Sequence, residues 1–134
     1  MLRLITKNSN IYKTNINTII KTSKLIKELV LDDDEILSDD IYLYEVEDDV
    51  LDLILKINKL FEKNNYDIEN LQNDNNYLNY LDNLNNEMFF KLLSSVHYLD
   101  IEYLENLLCD KFIKLINNKS KNDLEKLFNV KLNI

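Results

Sequence analysis

The sequence contains no glycine, proline or tryptophan, and alanine is missing as well. Arginine, histidine and cysteine occur once each, at Arg3, His97 and Cys109. Each absence removes a class of chemistry. Without glycine there is no phosphate-cradling P-loop, no G-x-G-x-x-G dinucleotide fingerprint, no G-x-S-x-G nucleophile elbow and no glycine-containing calcium loop. A lone cysteine forms no internal disulfide, and one His with one Cys cannot fill the nitrogen and sulfur shell of a structural zinc. No apolar run approaches the roughly 18 residues of a membrane span, and no signal-peptide pattern opens the chain. The missing residues share G/C-rich codons, whereas the abundant Asn, Ile, Lys and Tyr share A/T-rich ones. The composition therefore points to an AT-rich genome rather than to a structural demand.

What is present describes one domain with a genuine core. The chain has 134 residues, of which 46% are hydrophobic. Asp and Glu number 24 against 16 Lys and Arg, a net charge of −8. That acidity argues against nucleic acid and against anionic membranes as partners, leaving a soluble protein expected in the cytoplasm, the nucleus or both.

Segments 1–6 and 11–16 are rich in β-branched and aromatic residues and predict a hairpin about the turn Lys7-Asn8-Ser9-Asn10, with Asn in glycine's usual role. Ser23 is placed to N-cap a helix carrying Leu25, Ile26, Leu29 and Val30. Residues 32–40 read as a solvated acidic loop, since clustered like charges repel. Ile41–Tyr44 predicts a short strand, and Val46 to Phe61 a helix with a wide apolar face. Residues 63–76 are polar and of low complexity, which predicts a long mobile loop. Helices follow over Tyr77–Leu84, over Met88 to His97 and over Leu104 to Ile116, the last apolar along more than one stripe. Asn118 stands where a glycine would end it, and Ser120 to Asp123 resembles a capping box opening a final helix. The fold class expected is α+β.

The residue types offer little catalytic chemistry. His97 has Ser94 one turn before it and Asp100 one turn after, but a catalytic triad needs convergent geometry rather than a row along one helix. Cys109 sits among apolar residues and reads as a small core or interface hydrophobe. No catalytic residue, metal ligand or cofactor site is assigned, so an interaction module is expected.

At Val96-His97-Tyr98-Leu99-Asp100-Ile101 the chain resembles the S-phase-kinase-associated adaptor family of SCF ubiquitin ligases, where the segment reads Ala-Asn-Tyr-Leu-Asp-Ile. The preceding Met88-Phe89-Phe90-Lys91-Leu92-Leu93 is similar to the family's Leu-Phe-x-Leu-Ile helix, and Cys109 falls on a cysteine common there. Lys119 to Val130 is similar to Lys-Thr-Pro-Glu-Glu-Ile-Arg-x-x-Phe-Asn-Ile, and the match runs without a gap from about Tyr77 to Lys131. The resemblance implies a BTB/POZ-like small sheet packed on helices over 1–101 and a helical F-box-binding extension over 102–134, without the family's last helix. It implies a non-enzymatic adaptor bridging a cullin to F-box proteins. His97 and Tyr98 inherit the cullin contact; Cys109, Phe112, Ile113, Ile116, Leu124, Leu127, Phe128 and Val130 inherit the F-box contact. In departures from the family, Glu105 replaces a Leu, placing a charge beside the expected F-box surface, and Tyr77 stands for a Trp. The same residues also allow a viral or parasite decoy that keeps one interface, or a self-associating BTB domain that forms a homodimer when the F-box site is empty.

Overall fold

The computed structural model describes residues 1–32, 35–36, 40–117, 120, 122–123 and 126. They form a mixed α+β fold, mostly helical. β1 (Leu2–Thr6) and β2 (Ile11–Thr14) make the expected antiparallel hairpin, and β5 (Asp40–Leu43) adds parallel to the other side of β1. The resulting order is β2-β1-β5. Alternation sorts the two faces: Leu2, Leu4, Ile41 and Leu43 are buried, while Arg3, Ile11 and Tyr42 face outward. On the outer face Arg3 Nε meets Asp40 Oδ1, its register partner, at 2.6 Å.

The hairpin turn is built differently from the sequence expectation. Ser9, not Asn10, takes the left-handed backbone conformation, at φ 65°. Asn10 serves as a tie instead: its carbonyl accepts from Thr6 N at 3.0 Å and its Nδ2 donates to Asp48 Oδ2 at 2.6 Å. Asp48 opens α3 (Asp48–Lys63) and also accepts hydrogen bonds from Thr6 Oγ1 and from Asn8 Nδ2. The carboxylate thus fastens the turn to the positive end of a helix. These bonds, that of Thr6 foremost, hold the Asp48 carboxyl below the usual aspartate range.

Between β2 and β5 the chain forms two short helices. The strand expected to run through Ile16 stops at Thr14, because Asn15 caps α1 (Ile16–Thr22), its side chain accepting from Asn17 N at 2.9 Å. Ser23 caps α2 (Lys24–Val30) as expected, Oγ accepting from Ile26 N. The segment read as an acidic loop is partly strand: β3 (Leu31–Asp32) pairs with β4 (Glu35–Ile36), and Asp40 already belongs to β5. Residues 33–34 and 37–39 lie outside the described residues.

The expected loop over 63–76 is largely helical, and its polar residues are caps. Asn64 ends α3 and donates through Nδ2 both to the Leu60 carbonyl, at 2.8 Å, and to Asp74 Oδ2, at 3.1 Å. Asn65 and Tyr66 turn the chain at positive φ, with the Tyr66 ring edge-on to Phe61. Asp67 then caps α4 (Ile68–Gln72), whose Leu71 is wholly buried, and Asp74 caps α5 (Asn75–Asp82). A run of Asn and Asp looks like loop composition because these residues favour non-helical conformations, yet the same preference makes them helix starts.

α3 buries Val50, Leu51, Ile54, Ile57 and Phe61 and packs against α1, α5 and α6 (Asn86–Leu99), and α7 (Glu102–Ile116) lies on α6. Leu104, Leu107 and Leu108 of α7 share one hydrophobic core with the sheet, so the helix beyond residue 101 is packed into the domain. Tyr77 is buried, and burial pushes its phenol up to about 12. Among the described residues no helix is long and apolar enough to cross a membrane.

The tie at Asp48 sets an acid limb to stability. Its folded pKa is depressed below the unfolded value of about 4, so its contribution is full above that pH and is lost as pH falls through the folded pKa. Asp48→Asn is expected to lower the melting temperature at pH 7, with the difference from the native chain shrinking below about pH 4 in a pH series of thermal melts.

Candidate functional site

The end of α6 is set by its own sequence. Asp100 adopts the left-handed conformation, φ 53° and ψ 55°. Its N–H donates to the His97 carbonyl and that of Ile101 to the Val96 carbonyl, both at 3.1 Å. This is the paired hydrogen-bond pattern of a Schellman stop, and Val96 and Ile101, the positions of that motif's hydrophobic pair, are both fully buried. The Leu-Asp-Ile string thus has a physical content: two apolar residues face the core and the aspartate between them takes the backbone angle that glycine would otherwise supply.

The stop is locked from a distance. Ser23 Oγ, besides capping α2, donates to the Leu99 carbonyl at 2.6 Å, and Lys24 N donates to the Asp100 carbonyl at 3.2 Å. Two carbonyls that a helix end leaves without intrahelical partners are satisfied by the start of another helix. That contact brings α2 alongside the α6–α7 junction. The result is an open groove of about 310 Å³ lined by Leu25, Glu28, His97, Tyr98, Asp100 and Glu105.

His97 and Tyr98 therefore sit together on an exposed surface. Tyr98 is 39% exposed. His97 Nδ1 lies 2.7 Å from Glu105 Oε2 on the first turns of α7, not against Asp100, whose role is in the backbone. Ser94 is exposed on α6 and Asp100 ends it, so the three residues considered as a triad do not converge on the imidazole's partner. With the His97 side chain largely in solvent, this contact orients the ring more than it holds the fold. Glu105 is thereby engaged on the His97 side of α7. Among the described residues, no group of three or more His, Cys, Asp and Glu is placed to hold a metal ion.

α7 carries two apolar stripes, as its sequence requires. Leu104, Leu107 and Leu108 are buried. Cys109 is exposed rather than part of the core, and Ile113, one turn on, is 51% exposed. Phe112 and Ile116 are half-buried, Phe112 meeting Phe90 edge-on at 5.8 Å. At 100° per residue Glu105, Cys109, Phe112 and Ile116 fall on one shoulder of the helix, with Ile113 at its margin. The apolar shoulder thus begins at the residue that pairs with His97. Leu124, Leu127, Phe128 and Val130 lie outside the described residues, as does Asn118. The capping box is present: Asp123 N donates to Ser120 Oγ at 3.2 Å and Ser120 N to Asp123 Oδ2 at 3.4 Å.

Sequence reasoning missed Leu25, Glu28 and the role of Glu105. The first two reach the groove only through the Ser23 contact, which spans 76 residues. Glu105 is eight residues from His97 across a helix break, a spacing with no regular meaning. Compared with known proteins, the chain matches no family model, and no curated protein matches it.

Three substitutions test this arrangement. Ser23→Ala removes a cap and leaves a buried carbonyl unpaired, and is expected to cost about 2 kcal/mol or more in urea denaturation. Asp100→Gly is expected to leave stability within about 0.5 kcal/mol, whereas Asp100→Val, which must hold a β-branched side chain at positive φ, is expected to cost more than about 1 kcal/mol.

Proposed function

We propose that this chain is a non-enzymatic adaptor of an SCF-type cullin ubiquitin ligase, with a BTB/POZ-like fold, bridging a cullin scaffold to F-box substrate receptors. The observation that carries the reading is the pairing of two surfaces on α6 and α7: an exposed Tyr98 and His97 at the helix junction, and an apolar shoulder with Cys109 and Ile113 in solvent. These are the positions that the resemblance at Val96–Ile101 and beyond assigns to cullin and F-box contacts. The α+β architecture, with an N-terminal sheet and a helical second half, is what such an adaptor requires.

The physics of the two surfaces suits separate partners. The junction offers a tyrosine with imidazole and carboxylate neighbours, an aromatic anchor inside a polar rim. The shoulder offers aliphatic and aromatic surface whose burial yields about 25 cal/mol per Å². The adaptor's contribution to ubiquitin transfer is then positional: it sets the distance between a bound substrate receptor and a scaffold that carries the chemistry.

Pull-down and calorimetry with a cullin N-terminal domain and an F-box peptide test the reading. Tyr98→Ala is expected to weaken cullin binding at least about tenfold with an unchanged melting profile, because the ring is part of the surface. Ile113→Asp is expected to weaken F-box binding by a similar factor and to leave cullin binding intact. Failure of the native chain to bind either partner, at low and at moderate salt, overturns the proposal.

A further inference from the structure

A second concavity, sharing no residue with the α6–α7 groove, lies where the end of β2 and helix α1 meet the middle of α3. Its volume is about 110 Å³, and Ile19 and Leu55 give it apolar walls. By volume that is room for roughly four waters, or for one carboxyl group on a short aliphatic stem.

Asn58, on the same wall, is an anomaly. It is 2% exposed in the middle of an apolar helix face. Its Oδ1 accepts a hydrogen bond from the Tyr103 hydroxyl, and Tyr103, stacked on Phe61 with centroids 3.9 Å apart, is not part of the cleft. Its Nδ2 has no hydrogen-bond partner among the described residues. A buried amide nitrogen left this way is destabilising until something supplies an acceptor. Asn58 is a lining residue of the cleft; its oxygen is committed to Tyr103, and its nitrogen is the group left without an acceptor.

The charges around it have a sign. Lys13 and Lys59 line the cleft and form no ion pair among the described residues. The one acid of the lining, Glu62, accepts from Thr18 Oγ1 at 3.0 Å. In a chain of net charge −8, this is a local excess of positive charge around buried N–H donors. Such a site selects an anionic acceptor with an apolar stem.

We infer that the cleft between β2, α1 and α3 binds a small aliphatic carboxylate, with one carboxyl oxygen on Asn58 Nδ2, the charge facing Lys13 and Lys59, and the stem on Ile19 and Leu55. The carboxylate comes either from a free short-chain acid or from the terminus of a peptide. Both present the same group, and the experiment separates them.

The full chain, labelled with ¹⁵N, is titrated with sodium butyrate, with sodium chloride at matched ionic strength, with butyramide, and with a short aliphatic peptide having either a free or an amidated C-terminus. The Asn58 side-chain amide resonances are expected to move saturably with butyrate in the millimolar range and not with chloride or butyramide. A matching response to the free-acid peptide, absent for the amidated one, assigns the peptide source; a response to butyrate alone assigns the free acid. Asn58→Asp keeps the shape and the acceptor for Tyr103 but replaces the donors with a negative charge, and is expected to weaken butyrate binding at least tenfold, read from backbone shifts of Ile19 and Leu55. Lys13→Gln with Lys59→Gln, both at the surface, is expected to weaken it several-fold without disturbing the fold. An amide that ignores butyrate, responds equally to butyramide, or belongs to a site whose affinity survives Asn58→Asp overturns the inference.

Discussion

The start of α2 and the end of α6 complete one another, and much of the molecule is arranged around that meeting. A helix N-terminus presents N–H groups without partners and a partial positive charge; a helix C-terminus presents carbonyls and a partial negative charge. Here Ser23 Oγ and Lys24 N donate to the carbonyls of Leu99 and Asp100, so each end supplies what the other lacks. Ser23 is wholly buried, and it also caps its own helix at Ile26 N. One hydroxyl thus fixes the direction of α2, the last turn of α6 and the outset of α7. Tyr98 and His97 stand at that last turn, and Glu105 at that outset.

A chain without glycine or proline must turn by other means. Among the described residues, positive φ falls on Ser9, Asn65, Tyr66 and Asp100, each beside an interaction that sustains it. Ser9 donates back to the Thr6 carbonyl, Tyr66 to the Phe61 carbonyl, and Asp100 to the His97 carbonyl. Helix starts are drawn from the same polar set: Asn15, Ser23, Asp67, Asp74 and Asn85 each accept from the first turn that follows. Short helices of five to eight residues gain little from propensity. Caps at their starts and buried residues such as Leu71 and Tyr77 within them are what keep them in place.

The same economy explains where reading the sequence succeeded and where it failed. The hairpin, the Ser23 cap, the strand near Ile41 and the longer helices were legible because periodicity and capping residues agreed there. Segment 63–76 was not, because Asn and Asp signal loop and cap alike, and only the burial of Leu71 separates the two. α1 was hidden by β-branched residues, Ile16, Thr18, Ile19 and Ile20, whose strand preference yields to the Asn15 cap and to packing on α3. Of the candidate site, the second stripe of α7 was plain from the spacing of Cys109, Phe112, Ile113 and Ile116. Which of those residues remain in solvent was not.

The sequence by itself determined the acidic, glycine-free composition, the periodic helices, the positions of most caps and the surplus apolar stripe on α7. These follow from neighbours within one or two helical turns, where side-chain identity and spacing carry the information. Tertiary structure alone decided that α2 meets α6, that Glu105 pairs with His97 instead of standing on the apolar shoulder unpaired, and that Asn58 is buried with its amide nitrogen unmatched. The meeting of α2 with α6 is made largely by backbone carbonyls and N–H groups, which every residue possesses. Their pairing depends on where the chain returns in space, and no pattern of side chains along it records that return.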